Sequence, residues 1–169
     1  MRYKYCPKCG TLLSEKLAGD DGMVPFCVPC NKYWFDTFSS SVIVMTYNEF
    51  NEVVLARQNY ISTKYDVFTT GYITPGETAE QTAFREVEEE LGIQLESIEY
   101  GGTYWVPQLD ILQHAFLGYA PKQDLHLSVE VDSAEWAPLS EVLPRKYPTG
   151  PGEAGYELYQ KLVKKLNDE

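Results

Sequence analysis

The sequence lacks a long hydrophobic run. None of its 169 residues belongs to a stretch approaching the roughly 18 consecutive apolar residues that a membrane-spanning helix needs. The first ten residues, MRYKYCPKCG, also lack the apolar core of a secretory signal peptide. We therefore expect no membrane partner and a location in the cytosol.

Basic residues are few. There are 14 Lys and Arg against 25 Asp and Glu, which gives a formal net charge of −11. Broad contact with a nucleic-acid backbone or an anionic membrane needs basic patches, so we expect no extended nucleic-acid binding. A small anionic substrate is still compatible with this charge if metal ions mediate its contact with the protein.

Histidine is scarcer still, with only His114 and His126. Neither lies in a serine or cysteine nucleophile motif, and we interpret both as structural or surface residues. Hydrophobic residues, by contrast, make up 44% of the chain, which is enough for a real core. Together with the length, this predicts one ordinary domain with room for a small accessory module.

Four cysteines form two C-x2-C pairs, Cys6 with Cys9 and Cys27 with Cys30. Two disulfides are the alternative, but a cytosolic chain is kept in a reducing environment. The paired spacing, with turn-forming residues around the pairs, is typical of a tetrahedral zinc site with four thiolate ligands. We therefore predict a zinc ribbon over residues 1–36 and a second domain over residues 37–169.

Zinc in this ribbon is expected to hold the module folded, because so small a module buries little apolar surface. The alternatives are that the ribbon docks nucleic acid or forms the face of a homodimer. The shortage of lysine and arginine weakens the first of these.

In the stretch GYITPGETAEQTAFREVEEELGI, residues 71–93, a tight loop rich in turn residues opens directly into a predicted helix. Thr78 with Gln81 three residues later is a capping-box signature, and Gly92 is a typical residue just past a helix end. At ~100° per residue, one apolar arc should face the core. Its predicted members are Ala83, Phe84, Val87 and Leu91.

Acidic side chains crowd the last two turns of this predicted helix. Glu86 and Glu90 are four residues apart and repel each other by roughly 0.2–0.5 kcal/mol, and the helix dipole at this end favours cations. The two carboxylates should converge beside the apolar arc, while Glu89 points further out. A hard cation such as Mg²⁺ or Mn²⁺ would supply the missing positive charge. A solvated acidic face is the alternative, since glutamate is a good helix former.

The same stretch resembles the signature box of Nudix hydrolases. In that box a glycine is followed after five residues by a glutamate and, after seven more, by Arg-Glu-aliphatic-x-Glu-Glu-x-Gly-aliphatic. Every specified position is filled here, by Gly71, Glu77, Arg85, Glu86, Val87, Glu89, Glu90, Gly92 and Ile93. The resemblance implies an α/β fold, a Nudix-type α/β/α sandwich with a mixed sheet, preceded here by the small zinc ribbon.

Hydrophobic patterns elsewhere agree with such a fold. Leucines at 158, 162 and 166 predict an amphipathic helix at the end of the chain. Runs of strand-forming residues predict strands. The predicted strands cover 41–47, 52–58, 67–71, 97–107 (broken by the glycines at 101 and 102) and 110–120.

The resemblance also implies a reaction. It is the hydrolysis of a diphosphate linkage in a nucleoside diphosphate derivative such as NADH or ADP-ribose, with Mg²⁺ or Mn²⁺ bridging carboxylates to phosphoryl oxygens. Glu86 and Glu90 are the predicted ligands, and Glu89 is a further ligand or the base that activates water. Arg85 is expected to orient these glutamates, with Glu77 as its partner.

Two further features resemble the NADH pyrophosphatase branch, in which a zinc ribbon precedes the Nudix domain. Glu130 lies six residues before Trp136, where that branch has a metal-binding glutamate ahead of a strand tryptophan. A solvent-facing strand residue is the alternative for Glu130. The segment TYWVPQLD, residues 103–110, takes the place of the branch's SQPWPFP motif but keeps only one tryptophan and one proline. A main-chain carbonyl at Thr70 or Gly71 is expected to complete the metal shell.

Three functions therefore compete. The intact glutamates favour a metal-dependent pyrophosphohydrolase acting on a small nucleotide diphosphate. A catalytically silent, nucleotide-binding regulator would have no need to retain all of them. Removal of a nucleotide cap from RNA would use the same centre, and the low basic content restricts such contact to the very end of a strand.

Overall fold

The computed structural model describes residues 3–168, so the outermost ends of the two predicted domains, residues 1–2 and 169, lie outside it. The chain divides into two compact units between Ser39 and Ser40. This division falls three residues after the predicted boundary between 36 and 37. Each unit has a sheet of its own.

The first unit is a three-stranded antiparallel sheet in the order β1-β2-β3. A single 3-10 turn at Gly19–Asp21 connects β1 to β2. The buried apolar side chains include Val24 and Phe26, both on β2. A core this small needs additional stabilisation. The strands are β1 (Ser14–Leu17), β2 (Met23–Cys27) and β3 (Lys32–Tyr33).

The second unit combines a six-stranded sheet with three helices. The strand order is β7-β8-β4-β5-β9, with β6 also paired to β4. Its strands are β4 (Ser39–Tyr47), β5 (Glu52–Arg57), β6 (Thr69–Tyr72), β7 (Ser97–Val106), β8 (Ile111–Tyr119) and β9 (Ser133–Pro138). Its helices are α1 (Ala79–Leu91), α2 (Leu139–Arg145) and α3 (Ala154–Asp168).

This sheet is mixed, as predicted. Ser40 Oγ donates to the Leu112 carbonyl and the Ala120 amide donates to the Tyr47 carbonyl, so β4 and β8 run in the same direction. The pairs β4–β5, β4–β6, β5–β9 and β7–β8 are antiparallel.

Helices cover both faces of the sheet, which confirms the α/β/α sandwich. Alternate residues of a strand face opposite sides, and β4 shows this directly. Val42 and Val44 pack with Val87 and Leu91 of α1. On the other face, Met45 packs with residues of α2 and α3. These are Val142, Leu158 and Leu162.

Two predictions from the sequence are corrected by the fold. The glycines at 101 and 102 do not break β7; they lie at a register shift in a continuous strand paired with β8. Phe84 does not belong to the buried arc of α1, because its side chain is 38% exposed, whereas Ala83, Val87 and Leu91 are buried. Within residues 3–168, no helix combines the length and the apolar character that crossing a membrane requires.

Candidate functional site

Helix α1 carries the site, and its ends are fixed as predicted. The Thr78 hydroxyl accepts from the Gln81 amide, and the Gln81 side chain accepts from the Thr78 amide, which completes a capping box. At the other end, Gly92 adopts a left-handed conformation with φ of 69° and donates to the Glu88 carbonyl. The last turn therefore presents its glutamates at a defined position next to β6.

Gly71 on β6 lies directly beneath Glu86. A Cβ atom built on Gly71 would lie 1.9 Å from Glu86 Cδ, so any side chain there would displace the carboxylate. The Glu86 side chain is only 14% exposed. Burial raises its pKa, and the neighbouring Arg85 opposes that rise.

Glu90 is the most deeply buried of the described glutamates, with the residue only 4% exposed. Its Oε1 accepts a 3.0 Å hydrogen bond from Nε2 of Gln58, while its Oε2 is buried without a hydrogen-bond partner. Burial is the main reason that its pKa rises to about 7. The Gln58 hydrogen bond and a weaker interaction with the Thr69 hydroxyl act in the opposite direction.

Arg85 connects the carboxylates around it. Its Nε and Nη2 bind the two oxygens of Glu77, at 2.7 and 3.0 Å, and its Nη1 donates to Glu86 at 2.8 Å and to Glu89 at 2.9 Å. The expected pairing of Arg85 with Glu77 is therefore present. This pairing is the main reason that the pKa of Glu77 falls to about 2 and that of Arg85 rises above its ordinary value. With its donors engaged by protein carboxylates, Arg85 is positioned to orient the glutamates.

A cavity of about 680 Å³ opens over these groups. Among the described residues that line it, Arg85 is the one cation and the carboxylates number four, those of Glu86, Glu89, Glu90 and Glu130. A diphosphate cannot approach such a surface without added positive charge.

Glu130 reaches this cavity from a turn, so the alternative interpretation, a solvent-facing strand residue, does not hold. It precedes β9 and is exposed. The Ser128 amide donates to the Glu90 carbonyl, which hydrogen-bonds this turn to the end of α1. Within the turn, the Glu130 amide donates to Ser128 Oγ. Trp136, six residues later, lies on β9 as predicted.

The acidic groups fit a hard divalent cation. Glu90 Oε2 is a buried oxygen acceptor with no donor, which is costly unless a cation or water satisfies it. The sulfurs of the four cysteines lie within 4.8 Å of one another. In residues 3–168, no group of three carboxylates brings its oxygens together as closely. Arg85 and Gln58 instead hold separate carboxylate oxygens, as expected where like charges lie together without a cation.

The four cysteines of the first unit converge on one point. Their sulfurs all lie within 4.8 Å of one another, with Cys9–Cys27 at 3.5 Å and Cys6–Cys30 at 4.0 Å, and all four are free thiols. With Zn–S bonds of ~2.3 Å, the sulfurs of a regular tetrahedron lie ~3.8 Å apart. The cluster therefore fits zinc and excludes disulfides among these residues in this structure.

Reasoning from the sequence missed two parts of the site. Gln58, the residue after β5, is fully buried against Glu90, and its only sequence signal is a polar residue ending an apolar strand. The other part is an exposed apolar rim on the cavity. Its members are Ile61, Leu109 and Val129, together with Tyr60.

Comparison with known proteins identifies relatives. The NUDIX domain family matches residues 37–157. The NAD-capped RNA hydrolase NudC of Pseudomonas fluorescens is 29% identical over 143 residues, which is 84% of this chain and 50% of NudC. NudC of Pseudomonas putida is 26% identical over 165 residues, or 97% of this chain and 58% of NudC. The chain thus spans about half the length of the curated relatives it matches.

Solved structures share the fold. A NUDIX hydrolase from Nitrosomonas europaea superposes with a TM-score of 0.72 at 18% identity, covering 99% of this chain and 94% of that one. The NUDIX domain of Shewanella oneidensis NrtR, solved with ADP ribose, gives a TM-score of 0.61 at 20% identity, covering 78% of this chain and 90% of that one. Since the family match covers most of the sequence and includes the whole acidic helix, the chain belongs to the Nudix family.

Proposed function

We propose that the chain hydrolyses the diphosphate linkage of a nucleoside diphosphate derivative, such as NADH or ADP-ribose, and releases a mononucleotide. One observation carries the proposal. A buried, unpartnered carboxylate oxygen of Glu90 lies in an acidic cavity whose one lining cation, Arg85, is already engaged by glutamates. Such a cavity suits a substrate that arrives with divalent cations.

Mg²⁺ or Mn²⁺ is the proposed cofactor. Glu86, Glu90 and Glu130 would hold it, with a main-chain carbonyl of Thr70 or Gly71. When bound, the ion neutralises phosphoryl oxygens and polarises the scissile phosphate. Arg85 and Glu77 orient the carboxylates rather than contact substrate. Glu89, whose side chain is 61% exposed and accepts from Arg85 through one oxygen, would accept a proton from water or add a further ligand.

The apolar rim of the cavity supports a nucleotide as substrate. Tyr60, Ile61, Leu109 and Val129 offer exposed apolar surface for a base to stack on, and the tyrosine ring suits this best. The NrtR domain was solved with ADP ribose. That ligand, an internal diphosphate with a base at one end, agrees with this assignment.

Removal of a nucleotide cap from RNA is the second candidate. The relatives in Pseudomonas carry the name NAD-capped RNA hydrolase. The described residues that line the cavity supply no free cation for a long RNA backbone, so we propose contact with the capped end only. A catalytically silent regulator is the remaining alternative.

The first unit is proposed to be a zinc ribbon held by Cys6, Cys9, Cys27 and Cys30. We keep residues 1–36 and 37–169 as the proposed domains. Free thiols agree with a reducing compartment, and the cytosol is our proposed location. A homodimer formed through the ribbon is the alternative role for this unit.

One experiment separates these functions. The full chain is incubated with Mg²⁺ and NADH, NAD⁺, ADP-ribose, nucleoside triphosphates or NAD-capped RNA, and released mononucleotide is quantified. We expect turnover of at least one internal diphosphate, and its loss in the double variant Glu86→Gln with Glu90→Gln. No turnover of any substrate would favour the regulator, and turnover by the double variant would place the active centre elsewhere.

A further inference from the structure

Gln58 is a buried polar residue that the proposed chemistry does not yet use. It follows β5 and its side chain is 0% exposed. Its main-chain carbonyl accepts from the amides of Ile61 and Ser62, at 2.9 and 3.0 Å. The backbone of Gln58 is therefore hydrogen-bonded to Ile61, a residue that lines the cavity.

The side chain of Gln58 makes a single hydrogen bond. Nε2 donates to Glu90 Oε1 at 3.0 Å, a fully buried contact between residues 32 positions apart. The other oxygen of each group, Oε1 of Gln58 and Oε2 of Glu90, is buried without a hydrogen-bond partner. A buried acceptor left unpaired costs roughly 1–3 kcal/mol. A pair that served packing alone would not leave two such oxygens together.

We propose that Gln58 is a positioning residue: its amide holds one oxygen of Glu90 so that the other remains free for a divalent cation. The inference rests on the proposed function, in which Glu90 is a ligand of that ion. Ligands of metal ions are commonly oriented by a hydrogen bond from a neighbouring side chain.

The chemistry of an amide suits this role. A neutral N–H donor fixes the carboxylate but leaves its negative charge for the ion. A lysine or arginine at this position would instead form an ion pair with Glu90 and compete with the cation. Burial keeps water from replacing the amide, so the orientation depends on Gln58 itself.

The test measures binding of Mn²⁺ to the full, zinc-loaded chain from the electron paramagnetic resonance signal of free Mn²⁺. Gln58→Met keeps the length of the side chain and removes the donor. Gln58→His keeps a ring N–H donor. Asn48→Ala is the matched control, because Asn48 is also a buried amide that donates to a glutamate, at 2.8 Å, but its partner Glu52 does not line the cavity, whereas Glu90 does. Glu90→Gln removes the ligand charge.

We expect Gln58→Met to weaken Mn²⁺ binding by roughly 10–100-fold, Gln58→His to retain most of the affinity, and Asn48→Ala to bind as the wild type does. Circular dichroism checks that each variant is folded. Wild-type affinity in Gln58→Met, with weakened binding in Glu90→Gln, would overturn the positioning role and leave the proposed function intact. Wild-type affinity in Glu90→Gln would show instead that the proposed cation site is wrong. Should Gln58→Met not fold, a weakening of Mn²⁺ binding by roughly 10–100-fold in the donor-bearing Gln58→His would overturn the inference, and near wild-type binding would support it.

Discussion

Gly71 and Glu86 show how one missing side chain shapes the site. Because a Cβ at position 71 would lie 1.9 Å from Glu86 Cδ, Gly71→Ala must move the carboxylate or the strand. A displacement of about 1 Å can lower a rate by about 10²-fold, and we expect a loss of that order in kcat for whichever diphosphate substrate is turned over.

Gly150→Ala is the control for this substitution. A Cβ there meets only Glu153 Oε2, at 3.8 Å, and Gly150 does not line the cavity. Equal activity of Gly71→Ala and Gly150→Ala would show that the position of Glu86 does not limit the reaction.

The ion pair of Glu77 with Arg85 predicts a dependence of stability on pH. The pKa of Glu77 falls from 4.5 to about 2 in the folded chain, so the carboxylate stabilises the fold above pH 4.5. This contribution is lost as the pH falls through about 2. Urea unfolding of wild type and Glu77→Gln should therefore show a stability difference at pH 5 that shrinks towards pH 2. A difference independent of pH would contradict the assignment.

At the scale of elements, two leucines of α3 differ in burial, so their substitution tests how the helix packs against the core. Leu158 is fully buried in the cluster beneath the sheet, whereas Leu166 packs at its edge and is only partly buried. Leu158→Ala should lower the free energy of unfolding by about 2–5 kcal/mol, and Leu166→Ala by clearly less, because a partly exposed side chain loses less buried area. Urea denaturation measures both, and equal losses would contradict this packing.

The local signals in the sequence predicted α1 well and the loops poorly. Thr78, Gln81 and Gly92 set both helix ends through hydrogen bonds within a few residues, and such signals are visible in a sequence. Gln58 meets Glu90 across 32 residues, a pairing fixed only by how α1 lies on the sheet. Phe84 was misassigned because it lies at the margin of the helical arc, where periodicity alone cannot decide exposure.

The strand pattern was recovered for similar reasons. Runs of strand-forming residues predicted β4, β5 and β8, whose buried residues form the core on both faces. The turn that carries Glu130 depends on hydrogen bonds to the end of α1, which no local pattern reveals. The family motif nevertheless identified Glu130 as a candidate ligand.

For the whole molecule, the cysteine cluster predicts that the first unit depends on zinc. Metal analysis should find about one zinc per chain. Cys27→Ser should lose the metal and open residues 3–39 to limited proteolysis, while the second unit stays resistant. Ser14→Ala, which removes only a hydroxyl that donates to Phe26 in the same sheet, is the control. A metal-free chain whose first unit resists proteolysis would contradict the zinc assignment.

The acidic charge of the cavity predicts a bound cation, and locating that cation tests the proposed function most directly. An acidic cavity is tolerable on a chain with a net charge of −11 only if cations occupy it during the reaction. Anomalous diffraction from crystals soaked in Mn²⁺ locates such ions without reference to activity. We predict a strong anomalous peak coordinated by Glu90 Oε2 and Glu86. Crystals that diffract well and show no peak between these carboxylates at millimolar Mn²⁺ would contradict the account.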